Sequence, residues 1–314
     1  MKTCQTNDTF PFVLKSQHIE LRVRDLSDTP TCRAPIYPRN RNESRPHIRS
    51  AMESFPLSER DISVIKKIKD PEFDPSSAVV IDNTLPNDPH LTNPSTYINV
   101  SQQEREIVLG LQEFELRQTN PYLSSDINPV DEYQAALVRL DHLIVQHPNY
   151  ASARNNRAQI LRRLYGDAVL ISGSPSPAQA LVQSLDDDER QRVAVKLLSD
   201  LDTSISLLSP APGSPISPQA ARTLSMAHTQ RAAVYLITSK LLASSSLSVD
   251  QGRPEAKWSK LDFEKAASRD FAFGGKYGND IAKGLAVSTN PTAKLCGQIV
   301  REALRKEYGS AFVA

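Results

Sequence analysis

The stretch His147–Tyr165, HPNYASARNNRAQILRRLY, constrains the chain most. Pro148-Asn149 is a stop followed by a start: the proline ends one helix and the asparagine turns the backbone ahead of the next. Beyond it, Ala151, Ala158, Leu161 and Tyr165 recur at helical spacing, so they share one face. Pro148 stands 10 residues ahead of Ala158. In helix-pair repeats of about 34 residues, a proline near position 32 closes one pair. A small residue at about position 8 of the next pair lets its two helices approach closely. The interval between those two positions is the one found here. Such a pair cannot bury its apolar faces alone and needs stacked neighbours.

That register is the one used by tetratricopeptide repeats, and it extends in both directions. The first pair is expected at Gln102–Arg117 and Pro129–Gln146. Ile107, Leu111, Phe114 and Leu116 supply the inner face of its A helix, with Gly110 at the close approach. Ala136, Leu140 and Leu143 occupy the apolar positions of its B helix. The second pair is the opening stretch and Glu189–Leu208, where Leu197, Leu201, Ile205 and Leu208 form one stripe. The third is Pro218–Leu242, in which Gln230-Arg231-Ala232 echoes Asn156-Arg157-Ala158, and Glu255–Phe271, anchored by Phe263, Ala266 and Trp258. From the close-approach residue to its B-helix counterpart is 26 residues in the first pair (Gly110 to Ala136), 39 in the second (Ala158 to Leu197) and 27 in the third (Ala232 to Ser259). A standard repeat has about 12 there. Every pair is therefore lengthened between its helices. The loops 119–129, 173–187 and 243–254 are expected to line one rim, and 211–217 separates the second and third pairs. Asp280–Tyr308 reads as closing helices broken at Asn290-Pro291, offering Ile281, Leu285, Leu295, Ile299 and Leu304 as apolar faces.

The expected fold class is all-α: a tetratricopeptide-repeat α-solenoid of three helix pairs over 101–279, with long A–B insertions and C-terminal capping helices over 280–314. Residues 1–51 read as a disordered tail with five arginines between 33 and 49. The alternative is an organelle-targeting or anionic-surface arm. The orderly pattern begins just after Met52, which stands as an alternative start. Residues 52–100 read as a short amphipathic helix (Pro56–Lys69, with Ile62, Ile65 and Ile68 on one stripe) followed by an extended Pro/Asp/Asn-rich linker. The net charge of +1 gives no reason to expect nucleic acid as a partner, and no apolar run is long enough to span a bilayer. Cysteines at 4, 32 and 296 have neither disulfide-framework nor zinc spacing.

In combination, these features resemble the tetratricopeptide repeat protein 36 family. The resemblance rests on the lead-in Leu57–Pro75, the run Ala151–Gln159 (ASARNNRAQ), the D-F-E-x-A-A run Asp262–Ala267 and the closing Asn290–Cys296 (NPTAKLC). The first 51 residues and the long insertions fall outside the usual pattern and suggest an expanded, fungal-type member. The resemblance implies three repeats, a cytoplasmic binding protein with nuclear access, and a link to heat-shock chaperones. Animal relatives are also connected with the regulation of tyrosine breakdown.

One class of chaperone-binding repeat grips a partner's terminal carboxylates with converging Lys, Arg and Asn side chains. By register those positions are Ile107, Leu111, Asn156, Met226 and Gln230, and only Asn156 matches. The candidate protein-binding groove is therefore built from Asn156, Arg157, Gln230 and Arg231, with Arg154 and Arg163 beside them. The competing reading pairs these arginines with Asp200, Asp202 or Glu189 on neighbouring helices. The run Asp186–Glu189 lacks the glycine and ligand spacing of a calcium loop and is read as helix initiation. Cys296 is read as a buried, inert thiol. No nucleophile–base motif, metal motif or cofactor fingerprint is visible. The expected function is that of a non-enzymatic scaffold or co-chaperone-like adaptor binding a protein or peptide. The alternative is a regulatory subunit that protects or controls a metabolic enzyme. No cofactor, nucleic acid or membrane partner is expected.

Overall fold

A capping side chain followed by proline starts four of the helices. Asn93 accepts from the N–H of Ser95 and of Thr96 (3.0 and 3.1 Å) and opens α1, Pro94–Thr119. Asn128 opens α2, Pro129–Gln146, and Ser217 opens α5, Pro218–Leu241. Asn290 opens α8, Pro291–Tyr308, accepting from Thr292 N–H at 2.9 Å. Proline costs nothing at this position, because the first N–H of a helix has no intrahelical acceptor. The remaining helices are α3 (Ala151–Tyr165), α4 (Asp187–Leu208), α6 (Lys260–Lys276) and α7 (Asp280–Thr289). Asp186 caps α4 through the Glu189 N–H at 2.6 Å, so the acidic run does start a helix. Ser259 and Asp262 form a reciprocal capping box on α6.

The computed structural model describes residues 79–119, 128–172 and 180–308. The expectations for residues 1–51, for the helix at 56–69 and for much of the first two rim loops lie outside the described residues. The described chain is mostly helical, with two two-residue strands, and each helix packs on the next in sequence, with α3 also touching α5. One apolar core joins α1, α2 and α3 through Ile107, Leu111, Tyr133, Leu140, Leu143 and Ile160. A second core gathers Ile216, Ala220 and Leu224 of the α5 end against Ala151 and Leu208.

Several expectations need correction. The linker expected up to residue 100 ends at Asn93, because Asn93-Pro94 is a cap and first turn rather than a loop junction. Before it, Ile81 bridges Ile216, with Asp82 N–H donating to Ile216 O (3.0 Å) and Ile216 N–H to Val80 O (2.9 Å). This segment is therefore bonded to the 211–217 insertion. The third B helix begins at Lys260 and not at Glu255, which sits in a 3-10 turn, Pro254–Lys257. Leu116 is exposed, and Ala267, not Ala266, is fully buried. Gly110 has open space where a Cβ would stand, so it is not a close approach. That role falls to Gly275, where a Cβ would lie 2.8 Å from Lys283 Cα as α6 crosses α7.

The insertions of the second and third pairs meet: β1 (Ile171–Ser172) pairs antiparallel with β2 (Ser246–Leu247), placing Ile171 opposite Leu247. At the C-terminal end, α7 buries Ala282, Ala286 and Thr289, leaving Ile281 outward. In α8, Leu295, Ile299 and Val300 are 55–57 % exposed, and Cys296 is exposed rather than buried. No described helix is long and apolar enough to cross a membrane.

Candidate protein-binding face

The candidate groove residues lie on α3 and α5, and the helices on either side determine what they meet. Arg157 reaches forward to α4, giving Asp200 two bonds (Nε to Oδ2 2.6 Å, Nη2 to Oδ1 2.5 Å). It also reaches back to α2, giving Asp141 one (Nη1 to Oδ1 2.6 Å). Arg231 repeats this one pair later. It gives Asp270 on α6 two bonds (2.7 and 2.8 Å) and Asp202 on α4 one (2.7 Å). Each arginine thus fastens its own helix to the one before and the one after. The fork of a guanidinium suits this task, because five N–H donors in fixed directions can serve two carboxylates at once.

The flanking residues follow the same 74-residue offset. Arg154 joins Asp200 (3.4 Å), and its counterpart His228 joins Asp270 through Nδ1 (2.9 Å). Arg154 also donates to the Pro148 carbonyl at 2.8 and 3.0 Å. Asn156 donates to Glu104 Oε1 on α1 (2.7 Å), and its counterpart Gln230 donates to Asn155 Oδ1 on α3 (2.8 Å). Arg163 lies 3.8 Å from Glu115. Arg253, from the third insertion, extends the second brace by joining Asp202 (2.6 Å) to Glu255 (3.0 Å), which also accepts from Tyr235 OH (2.7 Å).

Burial makes these contacts firm. Asp200 and Asp270 are 1 % and 4 % exposed, where water screens charge least. Burial alone would raise the Asp270 pKa, but the hydrogen bonds and charges of Arg231 and His228 outweigh it and hold the carboxyl below its usual range. In the same way Asp270 and Asp202 raise the Arg231 guanidinium against the opposing effect of burial. Glu104 has no cation among its hydrogen-bond partners Tyr150, Asn156 and Ser152, and burial moves its pKa upward.

All six candidate residues are therefore engaged within the fold. Arg154, Arg157 and Arg231 take the carboxylates Asp200 and Asp202 that the competing reading assigned to them. Sequence reasoning missed Glu104, Asp141 and Asp270, because these partners sit on other helices at unequal offsets. The one available signal was the shared spacing of 154/228, 156/230 and 157/231. A partner's carboxylate entering here would have to displace buried internal ones. Exposed apolar side chains lie elsewhere, three of them, Leu295, Ile299 and Val300, on α8.

No family model matches the chain. No solved structure matches it either. It is similar to a protein of Aspergillus fumigatus described as "L-tyrosine degradation gene cluster protein hmgX", with 38% identity over 254 residues, covering 80% of this chain and 93% of the relative.

Proposed function

The chain belongs to the family of the L-tyrosine degradation gene cluster protein hmgX, and from that premise we propose that it is a non-enzymatic accessory protein of L-tyrosine breakdown that binds and protects an enzyme of that route. The observation that carries this reading is the identity to that relative along nearly its whole length. Two features support a binding role over a catalytic one. The polar side chains of α3 and α5 brace neighbouring helices through ion pairs. The amphipathic helix α8 leaves its apolar side chains uncovered. The successive packing of the helices and the repeated brace support the reading as a three-pair tetratricopeptide-type solenoid of the tetratricopeptide repeat protein 36 kind. The proposed place of action is the cytoplasm.

The test removes the gene from its organism and measures growth on L-tyrosine as sole carbon source, together with the steady-state level of each enzyme of tyrosine breakdown. Growth is expected to slow and one enzyme to become scarce. Re-expression should restore both, whereas Leu295→Ser/Ile299→Ser/Val300→Ser should restore neither while folding normally. Unchanged growth and enzyme levels would sink the proposal. Recovery of a heat-shock chaperone as the sole bound protein would favour the adaptor reading instead.

A further inference from the structure

All five Ser-Pro pairs of the chain fall between residues 174 and 218, in or beside the insertions 173–187 and 211–217. Ser174 and Ser176 lie outside the described residues. In two of the other three pairs the serine serves the fold. Ser217 is 2 % exposed, caps α5 by accepting the Ala220 N–H at 3.2 Å, and donates to Asn87 O, also at 3.2 Å. Ser209 closes α4 and returns its hydroxyl to Ile205 O at 2.6 Å. A phosphate on Ser209 would also meet the negative end of that helix.

Ser214 differs. Ala211-Pro212-Gly213-Ser214 is a type II turn: Ser214 N–H donates to Ala211 O (3.0 Å), proline stands second, and Gly213 stands third with φ 78°. Residues 211–215 are all exposed. Pro215 disfavours helical backbone at Ser214, so the chain leaves the turn extended and reaches Ile216, which bridges Ile81. The exposed stretch is thus held by backbone bonds at both ends. The Ser214 hydroxyl takes part in none of this and makes no hydrogen bond among the described residues. Another residue before Pro215 would give the same backbone course, so the fold does not require a hydroxyl there. What the fold provides is a serine in exposed, extended backbone with proline next to it. Proline has no N–H, so an apolar kinase pocket can take it without stranding a donor.

We propose that Ser214 is a phosphorylation site for a proline-directed protein kinase. In the transfer, Ser214 Oγ attacks the γ-phosphorus of ATP. The new O–P bond forms as the bond from that phosphorus to the β,γ-bridging oxygen breaks, ADP leaves, and the hydroxyl proton passes to the catalytic aspartate of the kinase. The product carries a charge of about −1.5 to −2 at pH 7. It stands two residues from Ile216, whose N–H and C=O fasten the segment preceding α1. The proposal is independent of any role in tyrosine breakdown.

The whole protein, incubated with magnesium-ATP and a purified mitogen-activated protein kinase, tests it, with phosphate located by peptide mass spectrometry. Ser214 is expected to fill at least roughly ten-fold faster than Ser209 or Ser217, which must first be freed from the fold. Ser214→Ala should leave that peptide bare, and Pro215→Ala should slow its filling by roughly ten-fold or more. Thermal unfolding checks that both variants fold as the unaltered protein does, as exposed positions allow. The same mapping on protein recovered from its own organism should find phosphate on Ser214. Ser214 bare in both settings, filling no faster than Ser209 and Ser217, or filling at an unchanged rate in Pro215→Ala overturns the proposal.

Discussion

Replacing Arg231 with methionine separates a brace from a binding residue. Methionine keeps most of the apolar stem and removes the charged fork. Asp270, 4 % exposed, would lose two bonds of 2.7 and 2.8 Å and keep only His228. Leaving a buried charge without its main partner costs about 3–5 kcal/mol. The bond to the more exposed Asp202, which still has Arg253, adds roughly 0.2–1 kcal/mol. The expected loss is therefore about 4 kcal/mol, a large part of a typical folding stability of ~5–15 kcal/mol. Urea unfolding measures it, read by the fluorescence of Trp258. That ring packs 5.3 Å from Tyr235 and 5.2 Å from Phe263, beside the brace. The double variant Arg231→Met/Asp270→Asn leaves no unpaired charge and should recover about 1–3 kcal/mol of the loss. A loss below about 1 kcal/mol with no coupling to Asp270 would refute the reasoning, since it would mean that the pair is as well screened as a surface pair.

Other predictions concern burial and packing. Glu104→Gln should stabilise the protein at neutral pH and flatten its pH dependence. Burial raises the native Glu104 pKa above 4.5, so the stability linked to its protonated form is full below that value. It is lost as pH rises through the native pKa, and urea unfolding across a pH series would show this limb vanish in the variant. Gly275→Ala should cost roughly 1–3 kcal/mol by forcing α6 from α7, whereas Gly110→Ala, with nothing within 4 Å, should gain roughly 0.5–1 kcal/mol. Thermal unfolding of the two variants side by side would give shifts of opposite sign, and shifts of the same sign would contradict the helix-crossing geometry.

Local chemistry determined the helices. Pro129–Gln146 and the break at Asn290-Pro291 fall where the sequence places them, and α3 and α5 end within a residue or so of expectation. Caps, prolines and apolar spacing act within a few residues, and that range is open to reading along the chain. The misplaced boundaries share one cause. Asn93-Pro94 has the same composition whether it turns a loop or caps a helix, and the packing of the residues C-terminal to it decides between the two. Gly110 and Gly275 look alike in sequence, and only the crossing of α6 and α7 shows which one needs to lack a Cβ.

The candidate site divides in the same way. The equivalence of Arg157 and Arg231 was legible as a repeated motif, but whether their donors face a partner or an internal carboxylate was not. Asp200 lies 43 residues from Arg157, Asp270 39 from Arg231, and Glu104 52 from Asn156. By itself the sequence determined a helical chain with repeated basic positions on α3 and α5. Only the tertiary structure decided that those positions close inward as braces while the apolar face of α8 is left uncovered, because pairing and burial depend on which helices stack and not on spacing within any one of them.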